Sequence, residues 1–461
     1  MCALEATRSL PQHRVQLVLG SPADQRESAS WAAGAMLAGI CEFEKHESAM
    51  FGPDADLVCT LAIQGQSLWE QQFETQTLAD CRSARDTLVY LRNQHNTFEV
   101  ANFRRVVSEA TAQERAESVS RDEWVRMKLV GRPAEIVRVR GEGSIDAMLL
   151  ERSLMQALET AGVEFVADSA EIIDCERRTI LLRGGNRLGY DRVLVAAGSR
   201  SSDLLPDARL IPMFDGVGSA MTLPSTSSQA PKCGHGIPVV IRTVNRGGSN
   251  CGLHLVPRLD GGIYLGASNY VARGEPLLHR VESLAWLARA LRDEFLGAAP
   301  AYAARCNLLI GRRPRTIDGR PSIGSLATLG AGEVFVASGT NRLGLTMAPL
   351  IASWFTSWCS GENPEGLPRT WSPTREPLEW GTVGEARTFF LESRVGSAIE
   401  HSGGPGGSVK RAYVELSERF EELCESINGP NTKDSDVIYC HPDVWGVLAT
   451  TSPLVRSAHH N

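Results

Sequence analysis

Residues 311–324 read GRRPRTIDGRPSIG, and residues 334–349 follow closely with VFVASGTNRLGLTMAP. The first stretch places an arginine pair before a turn of Pro, Asp and Gly. A planar guanidinium presents paired donors that match a carboxylate, so the pair indicates carboxylate binding. The second stretch is a β-branched strand that breaks on a glycine-rich bend and continues as a helix. Such a bend suits a cofactor, because glycine lets backbone N–H groups approach it and a helix N-terminus favours negative charge.

Together, the two stretches resemble the C-terminal part of the FAD-dependent amino-acid oxidases of the D-amino-acid oxidase and glycine oxidase type. In that family the arginine of a G-x-R-P sequence holds the substrate carboxylate, and the resemblance implies this role for Arg313. Arg312 has the opposite parity in an extended segment, so we expect it to be structural. A G-x-x-R-x-G bend lies against the flavin in the family, which implies cofactor contacts from Gly339, Thr340, Asn341, Arg342, Leu343, Gly344, Leu345 and Thr346.

A segment rich in small residues, SASWAAGAMLA at residues 28–38, follows a short strand predicted over His13–Leu19. Small side chains allow a backbone to approach a large planar ligand closely. The segment resembles the second flavin-contacting segment of the same family, in which a Ser and small residues open a helix beside the cofactor. A tightly packed helix start without a ligand is the alternative. The resemblance implies cofactor contacts from Ser30, Ala33, Gly34 and Met36.

The middle of the chain alternates helix and strand. An amphipathic helix is predicted over Ala147–Ala161, with Ser144 or Asp146 as its N-cap. Short strands are expected at Val163–Val166, Ala170–Cys175, Thr179–Leu182 and Asp191–Ser199. Family members carry the same helix, a strand pair and a V-x-A-A-G strand beneath the cofactor. The resemblance therefore implies that the adenine lies near Ala167 and that Ala197 and Gly198 contact the cofactor.

Residues 206–305 carry the pattern of an antiparallel sheet facing the active site. Apolar and polar residues alternate over Pro238–Val244 and Gly252–Val256, and Ile263–Ala267 returns after an Asp-Gly-Gly turn at 260–262, which is a good hairpin signal. His254 lies where many relatives carry a Tyr on the strand over the substrate. Two interpretations stay open: His254 contacts a substrate amine or carboxylate, or it is a partly buried hairpin residue.

These patterns predict an α/β fold, in which a Rossmann-like FAD-binding domain is interleaved with an α+β substrate domain built on an antiparallel sheet. We assign residues 1–55, 131–205 and 306–366 to the FAD-binding domain, and residues 56–130 and 206–305 to the substrate domain. Helices are expected at Asp56–Leu78 and Val281–Phe295. Residues 367–461 lie beyond the resemblance and form an extension without an assigned role. Within it we expect a linker at 371–374, a flexible stretch at 403–408 and a charged helix at 409–426.

The chain departs from the family where the family has a strand and a G-x-G-x-x-G turn, whose glycines let the pyrophosphate meet the first helix. Residues 1–10 resemble that helix from its middle onward, and Leu19-Gly20-Ser21 stands where an acidic ribose anchor is expected. Either the strand and turn lie upstream of Met1, or the polypeptide begins here and binds FAD poorly. We favour the first, because a helix that starts at its second turn loses its anion-binding end. Cys306 is too early in the chain to attach flavin as in one family branch, so non-covalent FAD is expected.

The composition excludes several classes of protein. The chain has 461 residues, of which 43% are apolar, and its net charge of −7 offers no electrostatic basis for nucleic-acid binding. No apolar run is long enough to span a membrane, and residues 1–6 lack a signal-peptide pattern. Eleven scattered cysteines indicate reduced thiols in a cytoplasmic protein. Neither Cys251 with His254 nor Cys440 with His441 has a second ligand pair, so no metal site is predicted. No pattern indicates an oligomeric state.

The predicted function is an FAD-dependent oxidoreductase that oxidises the C–N bond of an amino acid or secondary amine by hydride transfer to flavin, with oxygen as the expected acceptor. Its partner would be a small amine substrate that bears a carboxylate. In such a reaction the protein positions the substrate and provides electrostatic stabilisation in a site that excludes water. An alternative is a truncated, flavin-poor homologue that acts as a binding or scaffold protein. A third interpretation keeps the flavin, while Arg313 binds the carboxylate of another substrate, such as a hydroxy acid.

Overall fold

The computed structural model of the protein describes residues 1–21, 25–42, 54–75, 77–92, 97–127, 129–224, 239–245, 252–326, 331–402 and 408–449. The strands in this part of the chain are β1 (Gln16–Val18), β2 (Arg82–Ala84), β3 (Asp86–Leu91), β4 (Ala116–Ser118), β5 (Glu135–Val139), β6 (Ser144–Ile145), β7 (Glu164–Val166), β8 (Ala170–Asp174), β9 (Thr179–Leu182), β10 (Arg187–Gly189), β11 (Val193–Val195), β12 (Met213–Leu223), β13 (Val239–Thr243), β14 (His254–Pro257), β15 (Ile263–Gly266), β16 (Tyr270–Ala272), β17 (Asn307–Thr316), β18 (Ser322–Leu326), β19 (Ala331–Ser338), β20 (Gly381–Thr382) and β21 (Val437–Ile438). The α-helices are α1 (Cys2–Ser9), α2 (Ala55–Phe73), α3 (Thr97–Ala112), α4 (Arg121–Arg126), α5 (Ala147–Thr160), α6 (Val281–Ala290), α7 (Ala298–Ala303), α8 (Ala348–Cys359), α9 (Val383–Ser402), α10 (Ser408–Asn428) and α11 (Trp445–Leu448). A π-helical turn over Leu291–Leu296 continues α6.

The largest sheet has nine strands. Eight of them follow the order β16-β12-β15-β14-β13-β3-β5-β4, and β17 also pairs with β12 along its whole length. Every pair is antiparallel except β13 with β3. The hairpin expected after β14 is present, and Gly261 adopts a φ of +79° at its turn. Pro238 of the strand predicted there lies outside the described residues. β5 and β17 join this sheet, although they belong to the ranges 131–205 and 306–366 assigned to the other domain.

Alternation along the strands gives the sheet two different faces. On one face, Leu255 and Leu265 pack against Trp286 of α6 and Phe295 of the π-helical turn. The opposite face presents the even-numbered residues of β12, β14 and β15 and the odd-numbered residues of β17. Because strand pairing places directly opposed residues on the same face, the second face runs continuously from His254 to Arg313.

Parallel strands form a second region of the fold. β1 pairs with β7, and β11 pairs with β19, whose other edge carries the antiparallel β18. Among the described residues these are two separate pieces of sheet. Val18 of β1 and Val195 of β11 nevertheless belong to one apolar core. α1, α2 and α8 contribute Ala6, Val58 and Leu350 to a neighbouring core.

The local predictions for the first half of the chain hold in part. The helix expected over 147–161 is confirmed by α5, and Asp146 rather than Ser144 caps it, because its Oδ1 accepts a hydrogen bond from the N–H of Leu149 at 3.1 Å. The helix expected to open within residues 28–38 is wrong. That backbone makes turns and isolated bridges to β17 and β6 instead. The N–H of Ala32 donates to the carbonyl of Ser28 at 3.3 Å, but this single turn does not continue into a helix, because later groups bind outside the segment, as when the N–H of Leu37 donates to the carbonyl of Gly143 at 2.9 Å.

Residues 367–402 and 408–449 pack onto the main body. The linker expected at 371–374 is wrong, because Trp371 is completely buried and meets Trp354 of α8 edge-on. The charged helix expected at 409–426 is confirmed by α10. Residues 403–407 of the stretch expected to be flexible lie outside the described residues. The apolar core of this extension includes Trp380, Phe420 and Trp445, and it is shared with residues of β12 and of the turn after β17.

Candidate active site

Arg313 lies in a trough that two glycines make in the sheet. In the β12–β17 pairing, Gly216 is opposite Arg313 and Gly218 is opposite Gly311. A Cβ at Gly218 would overlap the guanidinium of Arg313, so only glycine leaves room for the side chain to lie across the strand. Nη1 of Arg313 donates to the amide oxygen of Asn269 at 2.8 Å, and Nη2 donates to the carbonyl of Ser268 at 3.2 Å. The guanidinium is therefore oriented by neutral oxygens on the same face as His254.

Arg312 points to the other face, as its parity predicted, and it binds carboxylates. Its Nη1 donates to Asp215 at 2.9 Å, and its Nε lies 3.3 Å from Glu27. Asp215 is only 5% exposed. Arg312 thus ties β17 to β12 and to the stretch that enters segment 28–36, which is a structural role.

His254 is a buried, neutral imidazole. Its Nδ1 lies 2.9 Å from the carbonyl of Gly252, and its ring stacks on that of Tyr264 with centroids 5.7 Å apart. Burial lowers the pKa of His254 to about 3, and the nearby Arg242 adds to the effect. Because a carbonyl only accepts hydrogen bonds, the neutral ring carries its proton on Nδ1 and leaves Nε2 as an acceptor. Nε2 is the ring atom near Gly266, on the face that carries Arg313.

Segment 28–36 crosses this face of the sheet. A Cβ at Gly311 would lie 2.7 Å from Cβ of Ala32, and a Cβ at Gly34 would lie 2.8 Å from the ring of Tyr264. The Tyr264 hydroxyl donates to the carbonyl of Ala32 at 3.0 Å. Glycines on both the segment and the strand thus allow the crossing. Ala33 and Gly34 are brought to His254 and Tyr264, whereas Ser30 lies in the turn before them.

A cavity of about 290 Å³ opens beside this crossing. Its lining combines apolar residues, among them Trp31, Ala33, Met148 and Leu309, with polar and charged ones, among them Asp146, Arg258 and Asp260. Leu309 and Arg313 lie on either side of Gly311 in β17, so segment 28–36 separates the cavity from the guanidinium. The cavity and the arginine trough are two compartments on one face of the sheet.

A buried charged chain lies next to His254. Glu42 binds Arg242 at 2.7 Å through one oxygen and lies 3.4 Å from Nε of Arg342 through the other. Burial alone would raise the pKa of Glu42, but the two guanidinium groups outweigh it and lower the pKa to about 2. Asn245 completes the chain, because its amide accepts from Arg242 at 2.9 Å and donates to the Glu42 carbonyl at 2.7 Å. Glu42 thereby holds Arg342 of the predicted bend in the same buried group as Arg242.

The glycine-rich bend packs closely against protein. Gly339 has a φ of +69°, and a Cβ there would lie 2.8 Å from the Thr316 side chain and 2.9 Å from the Ser322 nitrogen. The N–H of Asn341 donates to the carbonyl of Pro314 at 2.9 Å. The bend therefore touches β17 one residue beyond Arg313. Of its other residues, Leu343 and Thr346 are buried, Thr340 approaches Gly344, and the carbonyl of Leu345 accepts from the Trp69 indole.

Sequence reasoning missed four contributors to this region. Glu42, Arg242, Tyr264 and the Gly216–Gly218 pair belong to none of the motifs described above. Two signals were present: a lone arginine within the apolar run VVIRT at 239–243, and glycines two apart in DGVGS at 215–219. A charge in a buried strand needs a partner, and alternate glycines in a strand indicate a close approach on one face.

A family model described as FAD-dependent oxidoreductase, DAO, matches residues 1–358. The chain belongs to the DAO family. Among solved structures, it resembles glycine oxidase from Geobacillus kaustophilus at 17% identity, with a TM-score of 0.64 over 81% of this chain and 95% of that one. It also resembles iminodiacetate oxidase from Chelativorans sp. BNC1 (17% identity, TM-score 0.62, 81% and 96%) and L-proline dehydrogenase from P. horikoshii (13%, 0.60, 81% and 94%). These likenesses establish the fold. Curated proteins gave no match by sequence.

The DAO-family protein presents a surface that fits part of a dinucleotide. Ala167 directly follows β7 and Ala197 follows β11, and both are exposed. Gly198 has a φ of +61°, and a Cβ there would meet no described atom within 4 Å. Open small residues after parallel strands leave room for a nucleotide, as α/β folds use that position. Ser338, which precedes the bend, donates to the carbonyl of Gly198 at 2.7 Å and so connects this surface to β19.

Two further properties concern the described residues of the DAO-family protein. They contain no helix long and apolar enough to cross a membrane and no cluster of three or more potential metal ligands. Cys251 lies outside them, while Cys440 accepts a hydrogen bond from the Trp445 indole at 3.0 Å.

Proposed function

We propose that the protein oxidises the C–N bond of a small amine that carries a carboxylate, an amino acid or a secondary amine. The observation that supports this most strongly is the placement of Arg313 in a glycine trough on the same sheet face as the neutral His254. FAD, when bound, supplies the acceptor for the hydride that leaves Cα, and we propose oxygen as the final oxidant. The names of the glycine oxidase, iminodiacetate oxidase and L-proline dehydrogenase point to amine chemistry on this fold.

Arg313 binds the substrate carboxylate in this proposal. Its hydrogen bonds to Asn269 and Ser268 fix the plane of the guanidinium. A carboxylate that meets the planar fork gains charge-assisted bonds, which are about twice as strong as neutral ones. Fixing the carboxylate also fixes Cα, and positioning is the main contribution that a protein makes to hydride transfer.

His254 orients the substrate amine. With a pKa of about 3 it stays neutral at any working pH near neutrality, so it is a hydrogen-bond acceptor and not a strong base. Its Nε2 accepts an N–H from the uncharged amine and thereby favours the form that can be oxidised. Arg242, which is paired with Glu42 and helps to lower the pKa of His254, disfavours a protonated amine there.

The cofactor residues are proposed in two groups. Ala167, Ala197 and Gly198 hold the nucleotide end, because they leave open surface after β7 and β11. The flavin end lies between segment 28–36, with Ser30, Ala33, Gly34 and Met36, and the bend from Gly339 to Thr346. Thr346 supports this grouping, because its hydroxyl lies 3.5 Å from the carbonyl of Met36.

The test is anaerobic reduction of the flavin-loaded protein by a substrate panel. Amino acids, N-methyl amino acids and hydroxy acids are mixed with the protein, and bleaching of the flavin absorbance is followed against concentration. Reduction by a carboxylate amine but not by the matching amide supports the proposal, and peroxide release in air supports oxygen as acceptor. Bleaching by hydroxy acids alone would contradict C–N oxidation. Protein that stays colourless with added FAD would favour the scaffold interpretation.

A further inference from the structure

The strand that carries Arg313 is bound by residues that lie beyond the matched family region. Arg315 lies two residues further along β17, on the same face as Arg313 and opposite Phe214. It is 1% exposed, and its Nη1 lies 3.0 Å from Oδ2 of Asp443, a side chain that is 3% exposed. The family match ends at residue 358, so Asp443 belongs to an addition to the family fold.

Asp443 is itself held firmly in the extension. It lies in a 3-10 turn over Pro442–Val444, and its N–H donates to Nδ1 of His441 at 3.2 Å. The N–H of His441 donates to the carbonyl of Ile317 at 2.7 Å, just after β17 ends. The His441 ring packs edge-on against Trp380 and Phe389. The carboxylate is thus fixed to a buried aromatic core on one side and to the end of β17 on the other.

A second set of contacts encloses the turn after β17. Arg375 binds Asp318 with two hydrogen bonds, at 2.8 and 3.0 Å, and Asp318 is fully buried. The N–H of Leu378 donates to the same carboxylate at 3.2 Å. Nη2 of Arg320 donates to the carbonyl of Glu379 at 2.6 Å. The extension therefore holds both the end of the strand and its turn.

We propose that Asp443 is a positioning residue for the carboxylate site, and that the extension fixes the position of Arg313 by binding Arg315 on the same strand. The inference rests on the function proposed above. A buried arginine that loses the carboxylate it pairs with must move toward water or other acceptors. β17 would follow, and a shift of about 1 Å in a binding group is enough to weaken an oriented contact strongly.

The test uses the full-length, FAD-loaded protein, with acetate as the carboxylate probe and acetamide as its neutral match. Binding is measured by titration of the flavin absorbance for the parent, Asp443→Asn and Arg387→Gln. Arg387 is the control, because it pairs with Glu421 and Asp434 within the extension. We expect Asp443→Asn to weaken acetate roughly 10-fold, about 1.4 kcal/mol, with acetamide and flavin content unchanged. Arg387→Gln should leave both probes unchanged.

A second variant covers the case in which Asp443→Asn does not fold. Arg315→Met with Asp443→Leu replaces the ion pair by apolar side chains of similar size, which buried sites often accept. It removes the charged contact and should also weaken acetate selectively. Parent-like acetate binding in either folded variant would overturn the inference, and so would equal losses for acetate and acetamide. Arg313→Leu is titrated alongside: if it binds acetate like the parent, the proposed function fails, whereas loss there with none in the Asp443 variants removes this inference alone.

Discussion

Gly218 and Arg313 occupy neighbouring strands so closely that a methyl group on the first would overlap the guanidinium of the second. The glycine is needed for space and not for its backbone angles, since it lies within the extended strand β12. The position of the proposed carboxylate-binding arginine therefore depends on a residue that has no side chain.

Gly218→Ala should impair carboxylate binding. The added Cβ displaces the Arg313 guanidinium, and we expect acetate to bind roughly 10-fold more weakly to the flavin-loaded protein. Gly216→Ala is the matched control, because a Cβ there would meet Asn269 and Arg313 only at 3.3–3.4 Å. Flavin-absorbance titration with acetate measures both variants. Equal binding by Gly218→Ala and the parent would place the carboxylate site elsewhere.

Substitution of the two arginines of the Gly-Arg-Arg-Pro stretch should have different effects, one on substrate binding and the other on stability. Removing one partner of a desolvated charge pair typically costs about 2–5 kcal/mol, so Arg313→Leu should weaken carboxylate amines roughly 30-fold or more. Arg313→Lys should be intermediate, because an ammonium lacks the planar fork. Arg312→Leu instead removes the arginine that pairs with the buried Asp215 and should lower stability by about 3 kcal/mol, with little change in substrate binding.

Anaerobic flavin reduction against substrate concentration and thermal unfolding of the apoprotein separate the two effects. A stable Arg312→Leu protein with weakened substrate binding would reverse the assignment of the two side chains.

Local patterns predicted much of the fold. The cap at Asp146, the hairpin at Gly261 and the parity that separates Arg312 from Arg313 each depend on residues close in sequence. Segment 28–36 was misjudged because its hydrogen-bond partners lie in β6 and β17, more than a hundred residues away. A segment of small residues can form either a helix or irregular turns, and its hydrogen-bond partners distant in sequence determine which one it adopts.

The buried polar contacts could not be predicted in the same way. Glu42 and Arg242 are 200 residues apart and belong to no motif. Arg315 belongs to the stretch 311–324, but its partner Asp443 lies beyond the matched family region and in no motif. A sequence indicates that a buried arginine needs an acid, but it does not say which of the many acids reaches it. The role proposed for the extension likewise rests on contacts such as Arg315 with Asp443, which cross the domain boundary predicted at residue 367.

His254 should make the protein less stable in acid. Its pKa is about 3 in the folded protein and near 6.5 when unfolded, so the unfolded chain binds the extra proton between these values. The stabilisation that comes from the neutral imidazole is therefore fully present above pH 6.5. It is lost as the pH falls toward 3, at up to about 1.4 kcal/mol of unfolding free energy per pH unit. His254→Gln removes this term. Between pH 7 and 4.5 the variant should lose roughly 2–3 kcal/mol less than the parent in denaturant unfolding.

His13→Gln, at an exposed position, is the control for this experiment. The same acid dependence in the parent and in His254→Gln would mean that the imidazole is not held neutral.

Glu42 should be important for stability because it pairs with two buried arginines, Arg242 and Arg342. Glu42→Gln leaves Arg242, which is 1% exposed, without its carboxylate, and we expect a loss of about 3–5 kcal/mol. Glu27→Gln removes a half-exposed carboxylate from Arg312 and should cost less than about 1 kcal/mol. Denaturant unfolding at pH 7 compares the two variants. Similar small losses would show that Arg242 finds other acceptors.

Substitutions of two glycines with positive φ should distinguish effects on protein packing from effects on cofactor binding. Gly339→Val places a branched side chain against Thr316 and Ser322, so the apoprotein itself should be destabilised, by about 2 kcal/mol or more, and flavin content should fall as a consequence. Gly198 has a similar φ but open space around it, so Gly198→Val should cost the apoprotein only about 1–2 kcal/mol in backbone strain. Its side chain would occupy the surface proposed for the nucleotide, and flavin content should fall in a protein that remains folded.

The measurements are the ratio of flavin to protein absorbance after purification with added FAD, and thermal unfolding of each apoprotein. Full flavin content in folded Gly198→Val would remove the strand end at β11 from the cofactor site. An apoprotein of Gly339→Val as stable as the parent would show that the bend can yield without disturbing β17, and the close contact with Thr316 would then not be what requires a glycine there.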